Sequence, residues 1–409
     1  MSRVPSERRS FPVLVPEAHT LGAIAVIRSL GRAGYPVVAV SSSADGLGLG
    51  SRFAKTALTA PGYDRPDFLE WLDRALSAHE IKAIVPSEGF LLAIQKDYPK
   101  YSKMIPFSQD PKRLFEGLSK FDLFSNTPRE NLPPHLFFDD AEASAPDDET
   151  RLRTLPEPLF IKTDGCHSKT GKQGRVHPAE NAAAGAKKLK ELRGDFEKLL
   201  VQGYVPGKGA GVFFVVWNGE ILAEFMHLRL HEVPHTGGVS SLRRSFKHAR
   251  MLADARKRIL QFGWQGPAML EYRWDEETDR FALMEMNGRF WGSLHLPLYA
   301  GIDFPTILLD AFRGEVGPPQ MEYPDAVRCR VIFPLDLQHA WSVLKDPALP
   351  PSFKLKTLLE FCFLTLDPRV YSDLFSFPGD RALFFIGLRQ YLRQLKAHLR
   401  QRNRACTRK

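Results

Sequence analysis

Two short apolar segments separated by a polar turn constrain this chain more than any other feature. PAMLEYRW and FALMEMN are predicted to form two antiparallel strands of a hairpin. With the loop centred near Thr278, Glu271 lies opposite Glu285, and such cross-strand neighbours are roughly 5 Å apart. Two ionised carboxylates there repel each other unless a cation lies between them or one is protonated. The sequence predicts a hairpin with paired carboxylates on one face.

Asn287 and Arg289 extend that face. They follow Glu285 at two-residue intervals, so they point the same way while the strand continues. Two carboxylates and an amide oxygen form a set of hard ligands that suits Mg²⁺, which normally shares its coordination shell with phosphates. By spacing alone the set is either a Mg²⁺ site or a solvated outer face of a sheet.

The first part of the chain follows a strand–helix–strand pattern. Residues 11–115 contain the apolar strand PVLVPEA, an amphipathic helix that ends at Gly34, and the further strands PVVAVSS and KAIVPS around a helix that ends at Ala78. Such alternation predicts a doubly wound α/β domain. No GxGxxG motif follows the first strand, so the phosphate loop of a dinucleotide site is missing. We therefore interpret this region as a structural scaffold.

Lys162 ends the apolar strand PLFIKT and precedes a glycine-rich loop. The loop carries three glycines and two lysines, namely Gly165, Gly171, Gly174, Lys169 and Lys172. Glycines let backbone N–H groups approach an anion, and lysines supply positive charge. The spacing is not that of a Walker A motif, because Gln173 follows Lys172. Alone, the loop is either a phosphate cradle or a solvated mobile loop.

Arg229 lies on a strand within HLRLHEVPHTGGVSS, residues 227–241. The preceding Asn218-Gly219 pair predicts a tight hairpin turn. Three histidines recur here at intervals of four, but Pro234 breaks the helix that a zinc site with this spacing needs. Arg229 is either a ligand for a substrate carboxylate or phosphate, or a member of a surface ion pair.

Composition excludes several classes of protein. Hydrophobic residues make up 44% and charged residues 25%, the balance of a globular protein. No run of 18 apolar residues predicts a transmembrane helix, and the first residues do not resemble a signal peptide. The four cysteines have neither zinc-site nor disulfide-framework spacing, which favours a reducing, cytoplasmic location. A net charge of +9 suits an anionic small molecule, without a need for nucleic acid.

Much of the positive charge lies in residues 381–409. Apolar residues fall at helical spacing there: Phe384, Leu388, Tyr391, Leu392, Leu395 and Leu399. The helix either packs this stripe on the body or lies on an anionic membrane or a protein partner. The turns and aromatic residues that precede it favour packing.

The order of these motifs resembles the ATP-grasp superfamily, and most closely its carbamoyl-phosphate-synthase-like carboligase branch. The strand lysine, the glycine-rich loop, VQGYVPG, HLRL…GGVSS, LEYRW and MEMNGRFWGSLHLPLYAGIDFP carry the resemblance, across residues 11–315. It implies an α/β and α+β architecture, and with the helical pattern beyond Gly317 the chain divides into three parts. These are a doubly wound preATP-grasp domain (1–115), an ATP-grasp domain (116–317, with subdomains 116–200 and 201–317), and a mainly helical extension with a basic tail (318–409).

The resemblance also implies a site for ATP and Mg²⁺, with Mn²⁺ as the alternative ion. The implied contacts are Lys120, Lys162, Gly171 and Lys172 for the phosphates, Gln202, Gly203, Tyr204 and Val205 for adenine, and Glu271, Glu285 and Asn287 for the metal. Arg289 would stabilise the transferred phosphoryl group and, with Arg229, forms the expected catalytic pair. Gly203 stands where an acidic residue is common, and no acidic residue follows VPGKG to hold the ribose.

The activity that the resemblance implies is ligation of a small carboxylate to an amine through an acyl-phosphate. A phosphotransferase, or an ATP-binding regulator without turnover, remains an alternative. Dependence of ADP release on both a carboxylate and an amine distinguishes the ligase from both.

Overall fold

A parallel four-stranded sheet forms the first part of the molecule. The computed structural model describes residues 6–139 and 148–406. The strand order is β3-β2-β1-β4, with every residue of β1 and β2 buried, as expected for a sheet covered on both faces. The strands are β1 (Val13–Val15), β2 (Val37–Ser41), β3 (Ala54–Thr59) and β4 (Ala83–Ile84). The helices are α1 (Ser6–Arg9), α2 (Leu21–Ala33), α3 (Phe68–Ala78), α4 (Glu88–Ala93), α5 (Tyr98–Tyr101), α6 (Pro111–Leu118) and α7 (Lys120–Ser125).

Helix α2 connects β1 to β2 and is capped at both ends, at Gly34 as predicted. The Thr20 hydroxyl accepts a hydrogen bond from the Ala23 N–H at the first turn. Gly34 ends the helix with φ +96°, a left-handed conformation that favours glycine. The predicted doubly wound arrangement of this region is therefore confirmed, with β3 as an additional edge strand.

A second sheet is antiparallel and has its own apolar core. Its order is β5-β8-β6-β7, and two helices pack on it. The elements are β5 (His135–Asp139), α8 (Asp148–Leu152), β6 (Leu159–Lys162), β7 (Val176–Ala179), α9 (Ala182–Leu192) and β8 (Lys198–Gln202). The glycine-rich loop joins β6 to β7, so Lys162 is the last residue of its strand.

The third sheet has seven strands in the order β13-β12-β9-β10-β11-β14-β15. Its strands are β9 (Lys208–Trp217), β10 (Glu220–Val233), β11 (Val239–Ser245), β12 (Gly266–Asp275), β13 (Arg280–Asn287), β14 (Arg328–Arg330) and β15 (Val370–Ser372). The remaining helices are α10 (Ala249–Phe262), α11 (His295–Ala300), α12 (Phe304–Phe312), α13 (Leu337–Lys345), α14 (Pro351–Leu366) and α15 (Ala382–Cys406). Asn218 and Gly219 have φ +52° and +81° between β9 and β10, which confirms the predicted hairpin turn.

The C-terminal extension (residues 318–409) contacts both the parallel-sheet domain and the seven-stranded sheet. It is mainly helical, but β14 and β15 also lengthen the seven-stranded sheet. Arg28 of α2, fully buried, donates from Nε to Asp380 Oδ2 at 2.9 Å, and Arg243 of β11 pairs with the buried Asp373. Leaving either charge unpaired in the interior would cost several kcal/mol, on the order of 3–5.

Helix α15 is only partly packed. Leu383 is fully buried, and the Phe384 ring is 6.1 Å from that of Phe333. From Leu392 to Ala397 every residue is exposed. The predicted packing of the stripe therefore holds for its first turns only. Within the described ranges, no helix combines the length and the apolarity needed to cross a bilayer.

Candidate functional site

A β-bulge at Met284 brings the two predicted carboxylates face to face. Near the turn, Asp275 pairs with Arg280, and the register continues to Tyr272 opposite Leu283. The register then shifts by one residue, so that Glu271 pairs with Glu285 and no residue of β12 lies opposite Met284. The predicted pair is confirmed, although the turn is centred half a residue before the predicted position.

The bulge is also the point at which the two antiparallel sheets meet. Lys162 Nζ donates to the Met284 carbonyl oxygen at 2.7 Å, and Gln202 Nε2 donates to the same atom at 3.4 Å. Lys162 is 6% exposed, and Gln202 is fully buried. Gln202 Oε1 has no hydrogen-bond partner among the described residues. The ends of β6 and β8 therefore meet the bulged strand and leave one buried acceptor without a donor.

Burial and the neighbouring lysines act on Glu285 in opposite directions. Burial opposes ionisation of Glu285, but the Lys120 and Lys162 ammonium groups and the Asn287 amide lower its pKa to about 2. Burial lowers the pKa of Lys162 to about 8, with Glu285 acting against that shift and Lys120 adding to it. Burial also opposes the charge of Lys120, yet Glu285, Glu88 and Asp164 together raise its pKa. Two lysines and an ionised carboxylate thus share one poorly solvated site.

Glu271 is balanced by a different cation. Burial, and then the nearby Glu285, raise its pKa, while the Arg229 guanidinium opposes the rise. Arg229 Nη2 pairs with Glu271 Oε2, and Nη1 is 3.3 Å from Glu232 Oε1. Arg273 Nη1 lies 3.7 Å from the other Glu232 oxygen. Arg229 therefore forms an ion pair in this structure, but the pair is largely buried, unlike the surface pair that the sequence suggested, and its partner is a predicted metal ligand.

Asn287 and Arg289 continue from the carboxylate pair toward the parallel sheet. Asn287 Nδ2 donates to Glu285 Oε1 at 3.1 Å, and Arg289 Nη2 donates to Asn287 Oδ1 at 3.2 Å. Arg289 Nε is 3.4 Å from Glu88 Oε2, at the start of α4. A chain of polar contacts therefore joins the seven-stranded sheet to the parallel sheet.

A cavity of about 390 Å³ opens beside Arg289. Its lining includes Glu17, which follows β1, and Glu88, which follows β4, together with Gln173 and Gly174 of the glycine-rich loop. The connections from β1 and β4 diverge at this point of the sheet, and ligands of doubly wound sheets bind at such carboxyl-end crevices. A second cavity of about 220 Å³ shares Glu17 and Gln173 with the first.

Comparisons with known proteins identify a matching family model and proteins of similar fold. Residues 195–332 match a family model described as ATP-grasp in the biosynthetic pathway with Ter operon. Biotin carboxylase from Campylobacter jejuni has a similar structure, with a TM-score of 0.57 at 17% identity over 76% of this chain and 72% of that chain. N5-carboxyaminoimidazole synthetase from Staphylococcus aureus, complexed with ADP, gives 0.56 at 18% identity over 77% and 80%.

This chain has the ATP-grasp fold. An L-amino acid ligase from Bacillus licheniformis shares the fold as well, with a TM-score of 0.55 at 13% identity over 76% of this chain and 78% of that chain. No curated protein sequence shows significant similarity to it. The family model spans the carboxylate hairpin and Arg229, whereas Lys120 and Lys162 precede the matched residues.

The glycine-rich loop is only partly packed against the rest of the protein. Lys172 Nζ is 2.6 Å from Asp195 Oδ2 and is well exposed, and Gly171 has open space around it. By contrast, the loop end at Gly174 packs so closely that a Cβ there would lie 2.6 Å from the Thr163 carbonyl oxygen. In this structure the predicted phosphate residues therefore fall into two groups, with Lys120 and Lys162 at the carboxylates, and Gly171 and Lys172 on the outer loop.

The segment predicted to meet adenine lies at the end of β8. Gly203 N–H donates to the Pro134 carbonyl oxygen at 2.9 Å, and Tyr204 N–H donates to that of Pro156 at 2.8 Å. Tyr204 is 41% exposed, whereas Gln202 is buried. Val205 accepts at its carbonyl oxygen from Arg273 Nε at 3.4 Å. The segment lines the junction of the two antiparallel sheets, but its role toward a nucleotide stays a prediction.

The three histidines near Arg229 do not converge on one site: two pair with different aspartates, and neither ring nitrogen of His227 has a hydrogen-bond partner among the described residues. His227 is buried, His231 Nδ1 is 2.9 Å from Asp336 Oδ1, and His235 Nε2 is 3.0 Å from Asp346 Oδ2. Across residues 6–139 and 148–406, no group of three or more His, Cys, Asp or Glu side chains is arranged to hold a metal. The predicted Mg²⁺ site is not such a group, because it contains only two of these side chains, Glu271 and Glu285, and its third predicted ligand is the Asn287 amide oxygen.

Sequence reasoning missed the acidic residues that the parallel sheet contributes. Glu17 and Glu88 lie in the segment treated as a scaffold, yet both line the cavity beside Arg289. Glu88 follows the predicted strand KAIVPS by one residue. The rule that ligands bind at the carboxyl edge of parallel strands would have indicated it.

Proposed function

We propose that this protein is an ATP-dependent ligase that activates a carboxylate and joins it to an amine. The observation that carries the proposal is the junction at Met284. There, two lysines and two carboxylates share a buried site that leads through Asn287 and Arg289 to the cavity. Phosphate transfer needs such a site, since it depends mainly on positioning and on neutralising charge.

The residues at the junction fit ATP and Mg²⁺. Glu271, Glu285 and Asn287 offer the hard oxygen donors that Mg²⁺ prefers, and the low pKa of Glu285 keeps that carboxylate ionised. The ion would neutralise phosphate charge during transfer. Lys162 and Lys120 would hold phosphate oxygens. The unpaired, buried Gln202 Oε1 would accept a hydrogen bond from the adenine amino group.

The reaction has two balanced steps. A carboxylate oxygen of the first substrate attacks the γ-phosphorus of ATP, and the bond to ADP breaks to leave an acyl-phosphate. The amine then attacks the acyl carbon, phosphate leaves, and the nitrogen loses a proton as the amide forms. Arg289 lies between the metal ligands and the cavity, so its guanidinium would stabilise charge on the phosphoryl group in both steps.

A paired-substrate assay tests this function. Purified protein is supplied with Mg²⁺, ATP and pairs of amino acids, which the L-amino acid ligase of similar fold suggests as first candidates. ADP release is measured with both partners, with each alone and with neither. A ligase requires both partners. Release with a single partner and a phosphorylated product would assign a phosphotransferase, and ATP binding without turnover across the screen would assign a regulator.

A further inference from the structure

Helix α14 exposes apolar side chains on the face directed away from the protein. They recur at intervals of three and four residues, and their exposed fractions run from 42% to 82%: Leu355, Leu358, Leu359, Phe363 and Leu366. On the opposite face, Thr357 and Leu364 are buried against the body. The outer side of the helix is therefore apolar, and no described residue covers it.

This face differs from ordinary surface exposure of apolar residues. Single exposed leucines are common, but contiguous apolar faces on a soluble protein mark sites that bind something. On the neighbouring α13, which packs against α14, Trp341 is 57% exposed. Aromatic residues of this kind favour the boundary between water and hydrocarbon.

The same extension carries the net charge of the chain. Residues 381–409 contain nine Lys and Arg and no Asp or Glu, which equals the net charge of +9, so residues 1–380 are balanced. Arg389, Arg393 and Lys396 are exposed and form no ion pair with any described acidic residue. The exposed end of α15 is therefore strongly basic.

The acidic residues of this extension, in contrast, are paired with basic side chains or histidines of the protein itself. Asp346 is 3.0 Å from His235, Glu360 is 3.6 Å from His231, and Asp367 is 2.9 Å from Arg328. Asp373 and Asp380 form the buried pairs with Arg243 and Arg28. The charge left for an outside partner is thus positive, so that partner is expected to be anionic.

We propose that the outer face of α14 and the exposed part of α15 bind the surface of an anionic lipid bilayer. The apolar residues would enter the headgroup boundary, while Lys and Arg would be attracted to anionic lipids. A second copy of the chain is disfavoured as the occupant, because a two-fold contact here would bring two basic helices together. Membrane attachment is an additional property, independent of the reaction proposed above.

The test is flotation of the full-length protein with vesicles of phosphatidylcholine, with and without phosphatidylglycerol. Binding is expected only with the anionic lipid and is expected to weaken at high salt. The variant L359E/F363E places two carboxylates on the outer face of α14 and should reduce binding at least about tenfold. Both residues are more than 60% exposed, so the fold should tolerate the change.

Two comparisons make the result specific. L260E changes a leucine of α10 that is 44% exposed and should leave vesicle binding unchanged. Deletion of residues 392–409 removes seven of the nine basic residues and provides a second variant that does not alter α14. It too should lose anionic vesicle binding.

Three outcomes would overturn the proposal. They are absence of binding to anionic vesicles, equal binding by L359E/F363E, and equal binding to neutral vesicles. A wild-type dimer in solution that L359E/F363E dissociates, without vesicle binding by either protein, would instead assign the face to a second copy of the chain.

Discussion

Replacement of Lys162 by Met should remove a rise in the free energy of unfolding that the wild-type protein shows between pH 7 and pH 10. Burial lowers the pKa of Lys162 to about 8, against an ordinary value of 10.5. Between these values the unfolded chain binds more protons than the folded protein, so this group makes stability rise with pH. Integrated from pH 7 to pH 10, the contribution is about 2.5 kcal/mol. K162M lacks the group and therefore lacks this rise.

The assay is urea unfolding of wild type and K162M at several pH values in that range. At each pH the free energies of unfolding are subtracted, so that titrations common to both proteins cancel. Loss of the hydrogen bond to Met284 destabilises K162M by an amount that does not depend on pH. The test is therefore how the difference in free energy of unfolding changes with pH, and not its size at one pH. K190M, at an exposed lysine of α9, should show no trend. A difference between wild type and K162M that stays constant from pH 7 to pH 10 would refute the reasoning.

Three further predictions concern the reaction and the C-terminus. E285Q should abolish ADP release, because it removes a charge aimed at Mg²⁺ without changing side-chain size, and turnover near the wild-type rate at limiting Mg²⁺ would contradict this. K162A should mainly weaken ATP binding, whereas R289A should mainly lower kcat, and steady-state kinetics would expose the opposite division. Deletion of residues 381–409 should lower the melting temperature by several degrees, about 2–4 °C per kcal/mol lost, whereas deletion of 392–409 should not, as differential scanning fluorimetry can test.

The sequence predicted the carboxylate pair from strand spacing and from a loop centred near Thr278. In the structure the register next to the turn would place Glu271 opposite Met284, and the bulge restores its pairing with Glu285. The bulge at Met284 was not readable from the sequence, because a bulge depends on how the whole strand fits its partner. For the same reason the sequence did not predict that the Met284 carbonyl oxygen accepts hydrogen bonds from Lys162 and Gln202.

Contacts between segments far apart in the chain could not be predicted from the sequence. Arg289 approaches Glu88 across 201 residues of chain, and no local period connects the two. Strand β3 was missed because its alternating half-buried residues, in AKTALT, carry few strongly apolar side chains. Arg229 was left between two roles, and its pairing with Glu271 follows only from how β10 and β12 flank β9.

The buried pairs of Arg28 with Asp380 and of Arg243 with Asp373 determine how this chain can be divided. A fragment that ended at residue 317 would keep both arginines and lose both carboxylates. It would also lose β14, so that β11 would become an open edge strand with unpaired N–H and C=O groups. Edges of that kind pair readily with other chains, and an excised fragment would therefore tend to aggregate. The seven-stranded sheet and the extension consequently have to be expressed and engineered as one unit.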